Sequence, residues 1–387
     1  MRRVPILVLL VTLLVLLPLA GQAVTLYTDW LWFQEVGFSG VFKTILFAKV
    51  VVGLVAGILV FLLLYANLRL TAPGQGKDVL AVLEDEIPQL PSWLMIQPLY
   101  RRLLLPACLL LSLFVAGQAS GQWHGVIRFL NRGPFGFADP LFQRDVGFYV
   151  FSYPLLTYVY QFVFLTLLVT LLAAGAVYVL SRGIRLSPQG PVVTPWAKGH
   201  LLTLVAALLV VKAWGYSLDR YGLLFSPGGA SFGASYTDVN ATLPLLNVLI
   251  ALAGLAAIGC LVQIGRPGIR LALGGVVLWL AGSLLGLTAY PTVMQRFRVV
   301  PNEIAAERPY IERTIAATNR AYGLDRIEEQ PFPVREELTA EVLRRNDATI
   351  ENIRLWEHRP LLDSYAQLQE FRTYYTFVDA DNDRYWL

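Results

Sequence analysis

Apolar runs separated by short polar connections fill the chain up to Pro291, and the sequence after that residue is polar. An α-helix rises ~1.5 Å per residue, so roughly 17 to 25 apolar residues cross the ~30 Å hydrocarbon core of a bilayer. Seven runs meet this requirement, at residues 4–26, 41–66, 103–119, 154–180, 201–218, 243–264 and 269–290. The pattern predicts the membrane all-α fold class, with a seven-helix transmembrane bundle over residues 1–290.

The first apolar run also fits a signal peptide. Arg2 and Arg3 precede it, and Gly21-Gln22-Ala23 offers small residues at a cleavage site. An uncleaved helix is the preferred interpretation, because the run is longer than the ~7 to 15 residues of a signal core. Either outcome leaves the order of the later helices unchanged.

Residues 291–387 predict a partial, mainly helical α+β domain outside the membrane. Tyr290 and Pro291 predict the end of the last membrane helix, because the residue before a proline disfavours helical geometry. Pro309 suits the first turn of the next helix, and Gly323 is placed to end it. The final residues, TYYTFVDADNDRYWL, predict a strand from their aromatic and β-branched side chains. A small domain whose one clear strand comes last is expected to be incomplete.

The segment QRFRVVPNE links the last membrane helix to the polar part and is short. We therefore expect it to hold the helix near Pro309 against the aromatic connections between the membrane helices. Cysteine pairs placed between residues 298–303 and 135–145 should then crosslink.

Lysine and arginine are concentrated in alternate connections, and cytoplasmic connections carry this excess. The rich set contains Arg2, Arg3, Arg69, Lys77, Arg101, Arg102, Arg182, Arg185, Lys198, Arg266 and Arg270. The poor set contains Arg128, Arg132, Arg144 and Arg220. Arg296 and Arg298 count against the assignment but do not overturn the difference. The N-terminus is therefore predicted to be cytoplasmic and the C-terminal domain extracytoplasmic.

Composition supports the membrane class and excludes others. The chain is 56% hydrophobic and 15% charged, with a mean hydropathy of +0.56. Its net charge of +4 gives little support to nucleic-acid binding. Cys108 and Cys260 each lie inside an apolar run, and His124, His200 and His358 are scattered, so neither a disulfide framework nor a zinc site is indicated. We predict no cofactor.

Two lysines inside apolar runs are the main candidate site residues. Lys49 and Lys212 both fall in the outer half of the predicted bilayer, where an unpaired charge is costly. The simpler interpretation is that both side chains reach water at the membrane surface. The alternative is an outward cavity, with Lys43 above it, that holds an anionic headgroup or pairs with Asp29, Glu35, Asp219 or Asp238.

Three further patterns are weaker. Asp379, Asp381 and Asp383 alternate as in a calcium loop, but Arg384 stands where an EF-hand needs glycine, so a solvated acidic turn is preferred. Residues 229–233 match GxSxG without the strand and helix that a nucleophile elbow needs. Three glycine pairs have the four-residue spacing that lets helices pack closely: Gly53 with Gly57, Gly117 with Gly121, and Gly282 with Gly286. Packing within the bundle is the preferred interpretation of these pairs, over dimerisation.

Four segments carry a family resemblance: TDWLWFQEVGF, PFGFADPLFQRDVGFYVFSYP, DRYGLLFSPGGASFGASYTDVNATLP and YPTVMQRFRVVPNEIAAERPYIERTIAATNRAYGLD. Together they resemble the bacterial multi-pass membrane proteins called uncharacterised protein family 0182. The resemblance covers nearly the whole chain and implies a bacterial inner-membrane protein with seven helices and a large extracytoplasmic domain. It also implies that this chain corresponds to the N-terminal part of a longer protein. It supplies no catalytic residues.

Three classes of function remain open. The sequence favours a non-enzymatic envelope protein that displays an outer domain for a protein partner or an anionic lipid. A transporter or channel for an anionic or lipid-like substrate is the alternative, for which only Lys49 and Lys212 are intramembrane charges. The third class is a membrane enzyme acting on lipid-linked substrates, which needs clustered acids or histidines at the outer face. An enzyme is less favoured because no catalytic constellation is present.

Overall fold

The computed structural model describes residues 20–71, 96–181, 183–187, 190–332, 334, 338–354, 356–369 and 376–379 of the chain. The first part is helical: α1 covers residues 20–35, followed by α2 (Ser39–Leu70), α3 (Ile96–Ser120) and the short α4 (Trp123–Leu130). A π-turn, Phe148–Ser152, leads directly into α5 (Tyr153–Leu180).

A small antiparallel hairpin, β1 (Ile184–Ser187) and β2 (Gly190–Val193), joins α5 to the next helix, with Ile184 opposite Val193. The following helices are α6 (Pro195–Gly222), α7 (Leu243–Ile264), α8 (Arg270–Met294) and α9 (Glu303–Tyr322). Short helices α10 (Ala340–Arg345), α11 (Asp347–Ile350) and α12 (His358–Gln369) complete the described elements.

Six helices in the described residues are long and apolar enough to cross a membrane. Their ranges are Ser39–Leu70, Arg102–Ser120, Phe148–Leu180, Pro195–Phe225, Asp238–Ile264 and Arg270–Tyr322. Each contains or closely overlaps one of the later predicted spans. Residues 4–19 of the first predicted span lie outside the described residues, so the count of seven stays a prediction.

The long helices pack as a row of neighbours: α3 against α2, α2 against α5, α5 against α6, α6 against α7, and α7 against α8. The core lies between them, and α6 is the most buried of the six candidate spans. Most other apolar side chains on these helices are exposed or half-buried, as expected for helices whose outer faces contact lipid.

Two of the three glycine pairs mediate packing inside the bundle, as predicted. A methyl group on Gly57 would lie 2.9 Å from Ala116 Cβ, and one on Gly53 would lie 3.0 Å from the Ala116 carbonyl oxygen. Gly282 and Gly286 face leucine side chains of α7. Gly117 faces open space, so the third pair does not have this role.

Helix α8 does not stop at Tyr290, contrary to the prediction. It passes through Pro291 to Met294, and a π-turn, Gln295–Val299, and a 3₁₀ turn, Val300–Asn302, lead into α9 without a loop. A proline inside a helix removes one backbone N–H and crowds the carbonyl four residues earlier. In membrane helices, neighbouring groups and local π or 3₁₀ geometry can compensate for these effects. Pro309 likewise lies inside α9 rather than in its first turn.

The described residues form two compact units that divide between Tyr322 and Gly323. Gly323 ends α9 in a left-handed conformation, φ 67°, as predicted. The second unit contains α10 to α12, and the rings of Tyr365 and Phe377 pack 5.2 Å apart within it. Residues 376–379 of the predicted strand have no regular structure, and the rest of that strand lies outside the described residues. A domain boundary at 290/291 stays a prediction.

Candidate functional site

The connections 131–147 and 226–242, together with α9, form an ordered layer at the end of the bundle where α5 begins and α6 ends. We call these three segments the cap. Arg320 lies over the Phe137 ring, with its guanidinium carbon 4.8 Å from the centroid, and so joins α9 to the first connection. Glu307 of α9 accepts a hydrogen bond from the backbone N–H of Tyr236 and so joins α9 to the second.

Asp139 organises the first connection from the inside. Its side chain is 7% exposed and accepts hydrogen bonds from the backbone N–H groups of Leu141, Phe142 and Arg144. The Tyr149 hydroxyl also donates to it over 2.7 Å. A buried carboxylate is stable only when its oxygens are satisfied in this way, so the acid fixes the turn around it.

Asp145 holds the other half of the same connection. Its carboxylate accepts from the backbone N–H groups of Phe135, Gly136 and Gly147 at 3.0, 3.0 and 2.7 Å. The hydrogen bond from Phe135, followed by that from Gly147, lowers the pKa of this carboxyl below its ordinary value. The charged form is therefore the one that the loop is built around.

Several arginines of the cap lie against aromatic rings. The guanidinium carbon of Arg144 is 5.0 Å from the Phe148 ring centroid and 5.4 Å from that of Tyr221. Arg132 lies over Phe129 at 4.4 Å, and Arg313 lies over Tyr310 at 5.4 Å. A ring leaves the charge of the guanidinium intact. Arg132 donates one N–H to the Phe129 carbonyl and Arg144 donates one to the Tyr221 hydroxyl, and the other donors of each guanidinium can bind an anion.

The second connection is held to α9 and to the π-turn by polar contacts. The Ser231 hydroxyl donates to Thr314 Oγ1 over 3.4 Å, and Asn240 Nδ2 donates to the Tyr310 hydroxyl over 3.0 Å. Arg298 donates to the Tyr236 hydroxyl, and the Thr237 hydroxyl donates to the Gln295 side chain. The expectation that the segment after the last membrane helix packs on a connection is confirmed, but residues 295–298 contact 236–237 rather than 135–145.

The cap exposes a basic surface because most of its acids point inward. Four of its acids accept hydrogen bonds from the cap itself and are buried or half-buried: Asp139, Asp145, Asp238 and Glu307. The exposed acids of the cap are Glu303 and Glu312, whereas its exposed arginines are Arg132, Arg144, Arg308, Arg313 and Arg320. Arg296 and Arg298 of the adjoining π-turn are exposed as well. The net charge of the three segments understates the positive charge that a partner would meet.

The structure separates the three predicted lysines. Lys212 is half-buried on α6, and its ammonium donates to the Tyr160 hydroxyl over 3.2 Å and lies 4.6 Å from the Tyr216 ring centroid. It also interacts electrostatically with Asp219. Lys43 and Lys49 are exposed on α2. Among the described residues, no recorded contact joins either of them to Lys212, and a shared site for the three stays a prediction.

The weaker sequence candidates have no catalytic or metal-binding geometry in the described part of the chain. Ser231 of the GxSxG match contacts Thr314, as above. No group of three or more His, Cys, Asp and Glu side chains among the described residues is placed to hold a metal ion. Asp379 is described, whereas Asp381 and Asp383 lie outside the described residues.

The sequence reasoning missed the cap arginines and the acids beneath them. Asp139 and Asp145 bracket the turn PLFQR, and Asp-Pro followed by Arg-Asp is a turn signal that could have marked both as loop-forming acids. Glu307 gave no such signal, because its partner is the Tyr236 amide, 71 residues away in sequence.

Known proteins resemble the chain along nearly its whole length. Residues 6–387 match the family described as Uncharacterised protein family (UPF0182). A UPF0182 protein of Geobacter sulfurreducens is 41% identical over 392 residues, which cover 98% of this chain and 43% of that relative. A UPF0182 protein of Moorella thermoacetica is 39% identical over 375 residues, covering 93% of this chain and 40% of the relative. No solved structure matches the chain.

The chain spans about two fifths of the length of the curated relatives it matches. The matched region, residues 6–387, includes the long apolar helices, both connections of the cap and α9. On this match, the chain belongs to UPF0182, an uncharacterised protein family.

Proposed function

We propose that this protein is a non-enzymatic, multi-pass protein of the bacterial cell membrane that presents its cap, and the domain after it, to an anionic component of the envelope. The N-terminus is cytoplasmic, seven helices cross the membrane and the cap is extracytoplasmic. The partner is an anionic lipid or an envelope molecule that carries phosphate or carboxylate groups.

One observation carries the proposal: the cap turns its acids inward and its arginines outward. Asp139 and Glu307 are 7% and 2% exposed, and the carboxylate oxygens of both accept hydrogen bonds from nearby N–H or O–H groups. Within the described part of the chain, the ion pair recorded for these arginines is that of Arg308 with Glu312. Arginine binds carboxylate and phosphate groups through paired N–H donors, so this surface favours an anionic partner.

The cap is also ordered, which favours a binding surface over loops that only contact solvent. The second connection is held to α9 by hydrogen bonds between residues far apart in sequence, such as that of Tyr236 with Glu307, and the first connection is joined to α9 by the contact of Arg320 with the Phe137 ring. A surface fixed in advance loses less conformational entropy when a partner binds.

Tethering between vesicles tests the proposal. The protein is placed in sealed phosphatidylcholine vesicles with the cap outward, and its capture of phosphatidylglycerol or phosphatidylcholine vesicles is measured. Each arginine near an anionic surface contributes about 1 kcal/mol. Replacing Arg296, Arg313 and Arg320 by Gln should therefore weaken capture of phosphatidylglycerol vesicles by at least roughly tenfold.

Arginines at the other end of the bundle give the matched control. Replacing Arg69, Arg266 and Arg270 by Gln removes the same charge but should leave capture unchanged. Equal capture of both vesicle types, or equal capture by the cap variant and the wild type, would rule out an anionic lipid. Mass spectrometry of molecules that co-purify with the protein would then look for another anionic envelope molecule.

A transporter for an anionic or lipid-like substrate is the second candidate, and Lys212 is the observation that favours it. The lysine is held inside a candidate span by the Tyr160 hydroxyl, with the Tyr216 ring beside it. An intramembrane charge with such partners is a usual mark of a substrate or ion site. Flux of a fluorescent anion into vesicles, with Lys212→Gln as the comparison and Lys49→Gln as the control, separates this candidate from a binding role.

A further inference from the structure

A buried polar triad lies at the end of the bundle opposite the cap. The Tyr178 hydroxyl of α5 is 2.9 Å from His200 Nδ1 of α6, and His200 Nε2 is 3.0 Å from Asn67 Oδ1 of α2. Tyr178 is 1% exposed, whereas His200 is half-buried. The triad joins three helices, and the functions proposed above make no use of it.

The hydrogen bonds of the triad suit both protonation states of His200. Asn67 Nδ2 donates to the Leu63 carbonyl over 2.6 Å, which leaves its Oδ1 as an acceptor toward the imidazole. Neutral His200 then donates from Nε2 to Asn67 and accepts the Tyr178 hydroxyl at Nδ1. Protonated His200 still donates to Asn67, and its Nδ1–H donates to the Tyr178 oxygen after the hydroxyl rotates. A phenolic hydroxyl can play either part, so the ring gains a proton without losing a hydrogen bond.

Few other charged groups lie near His200 in the described part of the chain. Lys198, on the same helix, directs its ammonium to the carbonyls of Arg266 and Gly268. Arg69 of α2 donates to the Tyr65 hydroxyl, and α7 presents the apolar Ile264 beside Gly199. The titratable group in contact with the imidazole is therefore Tyr178.

An apolar layer separates the triad from Lys212. His200, Leu204, Leu208 and Lys212 follow one another at four-residue intervals, and so lie along one side of α6. Leu204 and Leu208 pack with Leu167 and Ala174 of α5 in one buried cluster. The two polar groups are about 18 Å apart along the helix axis, so the triad does not form a continuous hydrogen-bonded path with Lys212.

We propose that Asn67, His200 and Tyr178 form a proton-binding site at the end of the bundle opposite the cap, with His200 as the group that takes up the proton. A triad that only joins the helices does not need to accept a proton, whereas the proposed site requires His200 to become imidazolium reversibly while the three helices stay packed. The two roles therefore differ in a measurable property.

Nitrogen-15 NMR of histidine-labelled protein in lipid nanodiscs tests the proposal. The chain has three histidines, so the spectrum is sparse, and His200→Gln identifies the His200 signals. We expect both ring nitrogens of His200 to move reversibly to imidazolium shifts as the pH falls from about 8 to about 5. His124 and His358 act as internal controls in the same sample.

Two variants separate proton binding from a structural role. Asn67→Asp places a carboxylate at Nε2 and should raise the pKa of His200 by about one unit or more. Tyr178→Phe keeps the ring but removes the partner at Nδ1, and should change the Nδ1 signal while the fold, followed by thermal unfolding, stays intact. Neutral shifts of His200 down to about pH 5 in the wild type would overturn the proposal. An unshifted titration in a folded Asn67→Asp protein would also overturn it.

Discussion

At the scale of single residues, the contact between α5 and α6 depends on two glycines opposite two tyrosines. A methyl group on Gly215 would lie 2.3 Å from the Tyr160 ring, and one on Gly222 would lie 2.7 Å from the Tyr153 hydroxyl. Both the glycines and the tyrosines are seven residues apart, which is two helical turns on antiparallel neighbours. Gly215 therefore gives Tyr160 the space from which it reaches Lys212.

Gly215→Ala should destabilise the protein by about 1 to 3 kcal/mol, because a ring in a packed core cannot move aside at low cost. Thermal unfolding in detergent measures the effect. Gly175→Ala in α5 is the control, since a methyl group there meets nothing within 4 Å and should be neutral or stabilising. If both substitutions have the same effect, the contact with Tyr160 is not the cause. Tyr160→Leu in the Gly215→Ala background should restore part of the loss.

Asp145→Asn should loosen the first connection of the cap. The folded pKa of this carboxyl is lowered, chiefly by the hydrogen bond from Phe135, so its stabilisation is fully present above the ordinary value of 3.8. It is lost as the pH falls through the lower folded value. At neutral pH we expect faster amide exchange at Phe135, Gly136 and Gly147 in the variant, with no change for Asp325→Asn, an exposed acid. Unchanged exchange would contradict the role given to the charge.

Sequence alone could mark Lys212 but not its environment. A charge inside an apolar run is visible in the residue order, since its cost in lipid does not depend on the fold. Its partner Tyr160 is 52 residues away, and only the packing of α5 on α6 brings the two together. The arginine surface of the cap was hidden for a related reason, because sequence gives the number of acids but not the direction in which each points.

At the scale of elements, the passage from α8 to α9 has the greatest effect on the cap. Helix α8 continues through Pro291, and the π-turn Gln295–Val299, which contains Arg296, follows it. Helix α9 then places Glu307 where it accepts a hydrogen bond from Tyr236 of the second connection. Local sequence rules place a stop at Pro291 because they describe helices in water. A membrane helix retains its hydrogen bonds more strongly, since lipid offers no substitutes.

A disulfide between Ser231→Cys and Thr314→Cys tests the docking of α9. The native side-chain oxygens are 3.4 Å apart, within the range that a disulfide can bridge after small adjustments. We expect efficient oxidation in the membrane, read as a mobility change after cleavage of the intervening connection. Ser231→Cys with Ala316→Cys is the control, since residue 316 lies on another side of α9 and should crosslink poorly. Equal crosslinking of both pairs would mean that α9 is not docked as described.

At the scale of the whole molecule, hydropathy predicts the positions of the long apolar helices well, because the length needed to span a bilayer is set by the bilayer rather than by tertiary contacts. Six of the predicted spans coincide with long apolar helices in the described residues. The order in which these helices pack could not be predicted, since lipid-facing and bundle-facing residues are almost equally apolar. Small residues gave a partial guide, which succeeded at Gly53 and failed at Gly117.

Reporter fusions test the proposed orientation. Alkaline phosphatase joined after Tyr322 should be active and the same enzyme joined after Ser187 inactive, because the enzyme folds only outside the cytoplasm. Fluorescent-protein fusions at the same two positions should give the opposite pattern and act as the control. Activity at Ser187 and not at Tyr322 would invert the topology, and with it the membrane face on which the basic surface lies.

The loop-free passage from α8 to α9 also has a mechanical consequence. Arg270 to Tyr322 is helical in one form or another throughout, and α8 packs against α7 and contacts α6 through the hydroxyls of Tyr216 and Ser283, which are 2.8 Å apart. A load applied to α9 is therefore not taken up by a slack linker and passes directly into α8. Because α8 contacts both α7 and α6, we expect such a load to shift α8 against these two helices.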